Sequence, residues 1–417
     1  MDYSREILLL LLLKNLMTNP YRKASIDPEL VPRIKRSGSE RIPIILYHKD
    51  HSLSHMEKCL CRHPDVKLKH HLPIIKAMAL EVPARMVHEL AVLDEVEYVT
   101  SDTKVFIHMD VARETIREDR VAPIKYTGKG VGVAVIDTGV APHPDLVEPN
   151  NRIIAFKDYV NQKKEPYDDN GHGTHVAGCI AGNGFGSEGK YAGIAPKANI
   201  IAIKTLNSEG SGDSSDVIAA IQWALDNRTR YNIKVLNLSL GSKPQSLSYS
   251  PIDKAVSAAW ERGMTVICAA GNEGPGRQTI SSPGICPEVI TVGALDDRNT
   301  PPTKDDTIAT FSSRGPTKRM VAKPDIVAPG VNIISLAVPS RDNVLYKSLS
   351  GTSMATPIVS GCAALIHEMF PNYTNQQVKE LMMSTAKDLN YPSYAQGKGL
   401  IDLAAIVKAR EGGVTYK

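Results

Sequence analysis

Three short segments of the chain bring together residue types that do nucleophilic chemistry. An apolar run from Val133 ends in a carboxylate at Asp137, followed by Thr138 and Gly139. Asn170-Gly-His172-Gly-Thr-His175 sets an imidazole among glycines, and Gly351-Thr-Ser353-Met-Ala-Thr-Pro357 places a hydroxyl at the mouth of an apolar stretch. A carboxylate that closes a buried parallel strand stands where open α/β sheets build their sites. From there it can hold an imidazole in one tautomer and stabilise the imidazolium that forms. Glycines on both sides of His172 allow close approach of backbone and substrate. A serine hydroxyl is a poor nucleophile until a base takes its proton, and a helix N-terminus favours the negative charge that then develops. Residues 266–274 add a side-chain amide at Asn272, able to donate to a tetrahedral oxyanion jointly with the Ser353 N–H.

The elements that must hold these groups are legible as alternating patterns. Short β-branched runs at 131–136, 200–204, 235–240, 265–269 and 289–292 predict strands buried on both faces of a parallel sheet. Between them 214–225 and 252–262 carry helical spacing, and 355–369 reads as the helix behind Ser353. The expected architecture over residues 109–417 is therefore α/β, with a mainly parallel sheet between helices. Residues 1–40 read as an N-terminal tail and connector, rich in Pro, Arg, Lys and Ser from residue 18. Residues 41–108 form a smaller α+β unit, with strands expected at 44–47, 74–80 and 96–99 and helices at 53–61 and 83–93.

Composition narrows the function classes. The 417 residues are 42% hydrophobic and 23% charged, ordinary for a soluble globular protein. A formal charge of +4 gives no reason to expect nucleic acid or an anionic membrane as partner. Six cysteines are too sparse for a disulfide scaffold and lack the paired CxxC spacing of a zinc site. Cys179, Cys268 and Cys362 lie in apolar runs, where a free thiol behaves as a small core residue. The apolar residues 7–13 are too few to span a bilayer, and neither a clearly basic flank nor a small-residue cleavage site accompanies them. Cytoplasmic residence is expected, with secretion as the alternative.

In this order and spacing the segments resemble the subtilisin-like serine proteases, peptidase family S8. His172 follows Asp137 by 35 residues, Ser353 follows His172 by 181, and GTSMATP, NGHGTHVAG, DTG and AAGNEG all occur. EPYDDNGHGTH, ITVGALDD, FSSRGPT and KPDIVAPGVNIIS resemble most an intracellular bacterial branch of that family. The resemblance implies a subtilisin-like three-layer sandwich, with Asp137, His172 and Ser353 as the triad and Asn272 as the oxyanion donor. It implies that Ser239, Leu240 and Gly241 form one wall of the P1 pocket and that Ala269, Ala270 and Gly271 form the opposite wall. Gly210, Ser211 and Gly212 resemble the edge that pairs with extended substrate by β-augmentation. Small apolar walls imply an apolar P1 side chain. Residues 41–108 resemble the family's inhibitory pro-domain, a ferredoxin-like unit, so the expected product is a precursor that cuts itself between residues 99 and 113. Polypeptide substrates and the chain's own pro-domain are then the partners. The chemistry requires no cofactor. Calcium is expected only as a structural ion: Asp145 matches a calcium-binding position of secreted relatives, although residues 182–191 depart from their loop in length and sequence.

Blander readings weigh against some motifs. Asp137-Thr-Gly139 also spells an aspartic-protease signature, but that chemistry needs two carboxylates sharing a proton and no second copy occurs. His172 and His175 lack a HExxH arrangement for a metal, and His70, His71 and His143 read as surface or turn residues. Gly184 to Tyr191 falls short of a phosphate-binding loop at its last position. Ser312, Ser313 and Ser350 read as structural. Two other functions fit the same scaffold: an inactive peptide-binding module, and a ligase or transferase that favours an amine over water.

Overall fold

Branched apolar residues dominate the strands of the computed structural model. It describes residues 25–26, 30–31, 34, 40–49, 60, 63–72, 77–93, 95–101, 126–242, 251–298, 300, 304–339 and 344–411. The chain divides into two units, residues 1–106 and 107–417.

The smaller unit contains β1 (Ser25–Ile26), β2 (Arg41–His48), β3 (Lys67–Leu72), β4 (Ala77–Pro83), α1 (Met86–Leu90) and β5 (Val96–Ser101). Ile42, Ile44 and Leu46 alternate along β2, so all three face one side, where they join Met78, Leu80 and Val82 in a core. The strand order is β1-β5-β2-β4-β3, with β1 parallel to β5 and the other pairs antiparallel. Strands β2 to β5 thus follow a ferredoxin-like order, the last strand lying beside the first. The sequence reading missed β3, because Lys-Leu-Lys-His-His-Leu has no clean apolar alternation, and the single strand expected at 74–80 is instead β4. Most of the helix expected at 53–61 lies outside the described residues, as does the maturation interval beyond Ser101.

The larger unit winds through β6 (Gly132–Asp137), α2 (Pro144–Val147), β7 (Ile153–Asp158), α3 (His172–Ala181) and β8 (Asn199–Lys204). It continues through α4 (Ser214–Asp226), β9 (Ile233–Leu238), α5 (Pro251–Glu261), β10 (Thr265–Ala269) and β11 (Ile290–Asp296). The last elements are β12 (Thr307–Ile308), β13 (Ile326–Pro329), β14 (Ile333–Leu336), β15 (Tyr346–Leu349), α6 (Thr352–Met369), α7 (Asn375–Thr385), α8 (Ser393–Gln396) and α9 (Leu403–Glu411).

The sheet runs β12-β11-β10-β9-β6-β8-β7, with β13 also on β11, and every pair is parallel except β11 with β12. Helices α3 and α6 pack on each other, as do α4 and α5, which gives a helix–sheet–helix sandwich. Strand β6 is buried at every position because β8 and β9 flank it and helices cover its faces. Each fully buried Val or Ile there contributes about 1.5–3 kcal/mol. From β6 the chain winds first toward β7 and β8, then back toward β9 to β11. The strand order therefore reverses beside β6, and a crevice opens at its carboxyl end. Asp137 is the last residue of that strand.

Two boundaries differ from the sequence reading in ways that matter below. Strand β9 stops at Leu238, two residues short of the run 235–240, so Ser239, Leu240 and Gly241 all follow it. Helix α6 begins at Thr352, so Ser353 stands inside its first turn instead of before the helix. The short strands β12 to β15 carry too few residues for a pattern to show.

Candidate active site

Asp137 has no exposed surface, and its Oδ1 lies 2.8 Å from His172 Nδ1. The same oxygen accepts the Thr138 N–H at 2.7 Å, while Oδ2 has no hydrogen-bond partner among the described residues. A buried carboxylate so sparsely bonded stabilises a positive charge on its one imidazole neighbour. Burial opposes the His172 imidazolium, yet the charge and hydrogen bond of Asp137, helped by Asp168, raise its pKa above the ordinary 6.5; Lys347 works in the other direction.

His172 is the first residue of α3, after Gly171 in the left-handed region at φ 95°. Its N–H is held by Asn170 Oδ1 at 3.1 Å, and Asn170 Nδ2 reaches Ser208 O at 2.9 Å. Ser353 comes from the opposite side of the cleft. In this resting arrangement its hydroxyl donates to the Ser239 carbonyl at 3.0 Å rather than to His172. Catalytic contacts of this kind commonly tighten only when substrate is bound.

Asn272 stands beside this serine. Its Oδ1 accepts the Thr352 N–H at 3.0 Å and the Thr352 hydroxyl at 3.1 Å, which leaves Nδ2 as the outward donor. The Ser353 N–H lies in the first turn of α6, where no intrahelical acceptor exists. The Asn272 amide therefore sits beside the first turn, the positive end, of an 18-residue helix.

A cleft of about 620 Å³ joins these groups, lined by His172, Ser353, Asn272, Gly210, Ser211, Gly212, Ser239, Leu240 and Gly241 among others. Ala269, Ala270 and Gly271, expected as the opposite wall, are not among these lining residues. Ala269 closes β10, Ala270 is buried, and Gly271 turns the chain at φ 103°. Ser242, Ile252 and Ser282 stand in the lining instead, with Leu206 and Val217 further along. No motif marked these five, because each is an ordinary small or apolar residue.

Several buried groups that the sequence reading passed over hold the site from beneath. Lys204 has no exposed side-chain surface, and its ammonium donates to Thr138 O at 2.6 Å, Asp169 Oδ1 at 2.6 Å and Leu206 O at 2.7 Å. Asn237 joins Ser239 Oγ at 3.0 Å to Ser360 Oγ at 2.8 Å, tying β9 to α6. The signal for both was a polar residue inside an apolar strand, since a buried polar group needs partners. His175 is buried and binds carbonyls of Ile333 and Lys347 outside its own helix; burial lowers its pKa to about 3.

Asp145 does not fit a calcium ion. Its carboxylate already accepts the Gly186 N–H at 2.8 Å and the Tyr346 hydroxyl at 3.0 Å, and the Arg152 guanidinium donates to its carbonyl. Both carboxylate oxygens thus have protein donors and the main-chain oxygen holds a cation of the chain, whereas calcium prefers six to eight oxygen ligands. Among the described residues no group of three or more His, Cys, Asp or Glu side chains is gathered to hold a metal. His143, read as a surface or turn residue, is buried here. It accepts the Asp145 N–H at Nδ1 and donates from Nε2 to Leu345 O.

A reversed parallel sheet with a buried Asp–His pair and a serine at a helix N-terminus around one cleft defines a serine-type endopeptidase. The profile of the subtilase family, peptidase S8, matches residues 128–399, and the chain belongs to that family. It is 45% identical over 348 residues to the serine protease AprX of Bacillus subtilis (strain 168), covering 76% of this chain and 75% of that one. It is 39% identical over 284 residues to subtilisin Savinase of Lederbergia lenta, covering 68% and 92% of the two chains. Among solved structures, sphericase is similar at TM-score 0.58 and 32% identity, covering 72% of this chain and 99% of that one. The S41 psychrophilic protease is similar at TM-score 0.59 and 34% identity, covering 70% and 96%. Subtilases need no cofactor for catalysis.

One prediction follows from the charge arrangement. The His172 imidazole of the resting protein titrates above 6.5, and Asp137→Asn lowers its pKa. NMR of labelled histidine checks both, and an unshifted value in the variant would contradict the charge pairing.

Proposed function

We propose that Asp137, His172 and Ser353 act as a catalytic triad and Asn272 as the oxyanion donor of this endopeptidase. The 2.8 Å contact between Asp137 and His172 at the mouth of the cleft is the observation that carries the reading. His172 takes the Ser353 proton as Oγ attacks the scissile carbonyl, forming a tetrahedral oxyanion held by Asn272 Nδ2 and the Ser353 N–H. Its collapse breaks the C–N bond, and His172 returns the proton to the leaving amine. Water then attacks the acyl-enzyme with His172 again as base, releasing the acid and restoring Ser353. Removing one such donor from a subtilisin-type oxyanion site costs about 10²–10³ in kcat. Asn272→Ala should lose that much with little change in KM, as steady-state kinetics would show.

Extended substrate pairs with Gly210, Ser211 and Gly212, and its P1 side chain enters beside Ser239, Leu240 and Gly241. Leu240 and Ile252 are apolar, and among the described residues no carboxylate or ammonium lines the cleft, which supports a preference for apolar P1 residues. Cleavage-site profiling should show it; strict selection of Arg or Lys would overturn it.

Residues 41–108 serve as an inhibitory pro-domain that the enzyme removes from itself by a cut between residues 99 and 113. The separate core of the smaller unit and its ferredoxin-like strand order support this role. The chain works in the cytoplasm, which is supported by Cys179, Cys268 and Cys286, buried as free thiols. Intact-mass spectrometry of wild type and Ser353→Ala, with and without a fluorophosphonate, tests the site and the maturation together. Wild type should lose the residues before the cut and gain one adduct, whereas Ser353→Ala should do neither. Labelling without any cut would remove the autoprocessing role, and a labelled Ser353→Ala would remove the assignment of the nucleophile.

A further inference from the structure

The loop between β7 and α3 contains a second buried carboxylate, and the chemistry above does not use it. Asp168 is 5% exposed. Its Oδ1 accepts the Thr138 hydroxyl at 2.9 Å, the Asn170 N–H at 3.0 Å and the Gly171 N–H at 2.8 Å. Its Oδ2 accepts the Thr174 N–H at 2.9 Å and the Thr174 hydroxyl at 2.7 Å. One carboxylate thus binds donors on both sides of His172 along the chain, and also the residue that follows Asp137.

Thr138 completes the link. Its hydroxyl donates to Asp168 and accepts the Gly173 N–H at 2.9 Å, while its own N–H donates to the Asp137 oxygen that faces His172. The backbones it joins are already in contact: a Cβ on Gly173 would collide with the Gly139 carbonyl oxygen, and Gly139 forms a bridge to Asp168. Thr174 Oγ1 also accepts the Ala141 N–H at 3.0 Å, a second tie between the start of α3 and the segment after β6.

The geometry points to Asp168, acting through the Thr138 hydroxyl, as a positioning residue that sets the contact between Asp137 and His172. The inference rests on the reading of those two residues as a working acid–base pair. A carboxylate can accept every one of these donors at once because all its lone pairs are acceptors; an amide in its place must turn a donor toward other donors. Charge acts in the same direction as geometry. His172 is faced by Asp137 from β6, Asp168 from the loop, Lys347 from β15 and His175 from its own helix, and Asp168 raises its proton affinity.

The test compares Thr138→Val, which keeps the shape and deletes the hydroxyl, with Thr138→Ser, which keeps the hydroxyl, alongside Asp168→Asn. Steady-state kinetics per folded molecule, the pH profile of kcat/KM and Tm are read for each, with Asp137→Ala as control. Misplacing a reacting group by an ångström costs up to about 10²-fold, so Thr138→Val should lose about 10- to 100-fold in kcat with KM nearly unchanged. Thr138→Ser should recover most of that loss, and Asp168→Asn should move the acid limb of the profile to lower pH. Variants that lower only Tm, with kcat and the acid limb as in wild type, would reduce Asp168 to a structural role and overturn the proposal. Wild-type kcat in Asp137→Ala would overturn the acid–base reading itself, and this inference with it.

Discussion

A charged carboxylate removed from water costs several kcal/mol unless its surroundings compensate, and Asp137 is fully buried with one of its oxygens unpartnered. Compensation comes from the Thr138 N–H and from the imidazole 2.8 Å away. The carboxylate thus makes the position of His172 a condition of its own burial, and the two groups cannot be separated without exposing that cost. Much of the larger unit arranges backbone so that this one contact is made.

The arrangement uses three different supports. On the strand side, Thr205 and Leu206 N–H groups both donate to the Asp137 carbonyl, and Asp137 lies opposite Lys204 in the β6–β8 register. The Lys204 ammonium, wholly inside, then binds β6, the histidine loop and the pocket segment together. On the histidine side, glycines at 139 and 173 let the start of α3 rest directly on the chain after β6. On the serine side, Asn237 and Ser360 couple β9 to α6, so the residue whose carbonyl holds the Ser353 hydroxyl is tied by hydrogen bonds to the helix that carries that serine. Sites built on strand ends and helix starts inherit the rigidity of those elements.

Far from the cleft the same physics recurs in a purely structural form. Asp325 accepts Lys323 at 2.6 Å, Lys379 at 3.1 Å and the Thr291 N–H at 2.7 Å, all three side chains being almost wholly buried. Burial lowers the Lys379 pKa to about 8, with Lys323 adding to the shift and Asp325 opposing it. Removing one member of such a group commonly costs about 3–5 kcal/mol, because the partner is left charged and dry. This cluster joins α7 to the β11–β13 edge and touches no reactive group. Perturbed titration alone therefore does not distinguish the cleft of this protein from its frame.

The sequence by itself determined the strand that ends in Asp137, the histidine among glycines, the serine at the start of an apolar helix and the amide of Asn272. Each is local: a period of apolar residues, a glycine where backbone must come close, a hydroxyl at a helix start. The sequence could not say that Asp145 is satisfied by Tyr346 and Gly186, or that His143 is buried. Nor could it say that Asp168 and Lys204 both reach Thr138, 30 and 66 residues away. Those facts depend on which donors the fold brings within 3 Å of a given oxygen. Only the tertiary structure decides that, because desolvation and hydrogen bonding act between groups that are near in space and carry no periodic trace along the chain.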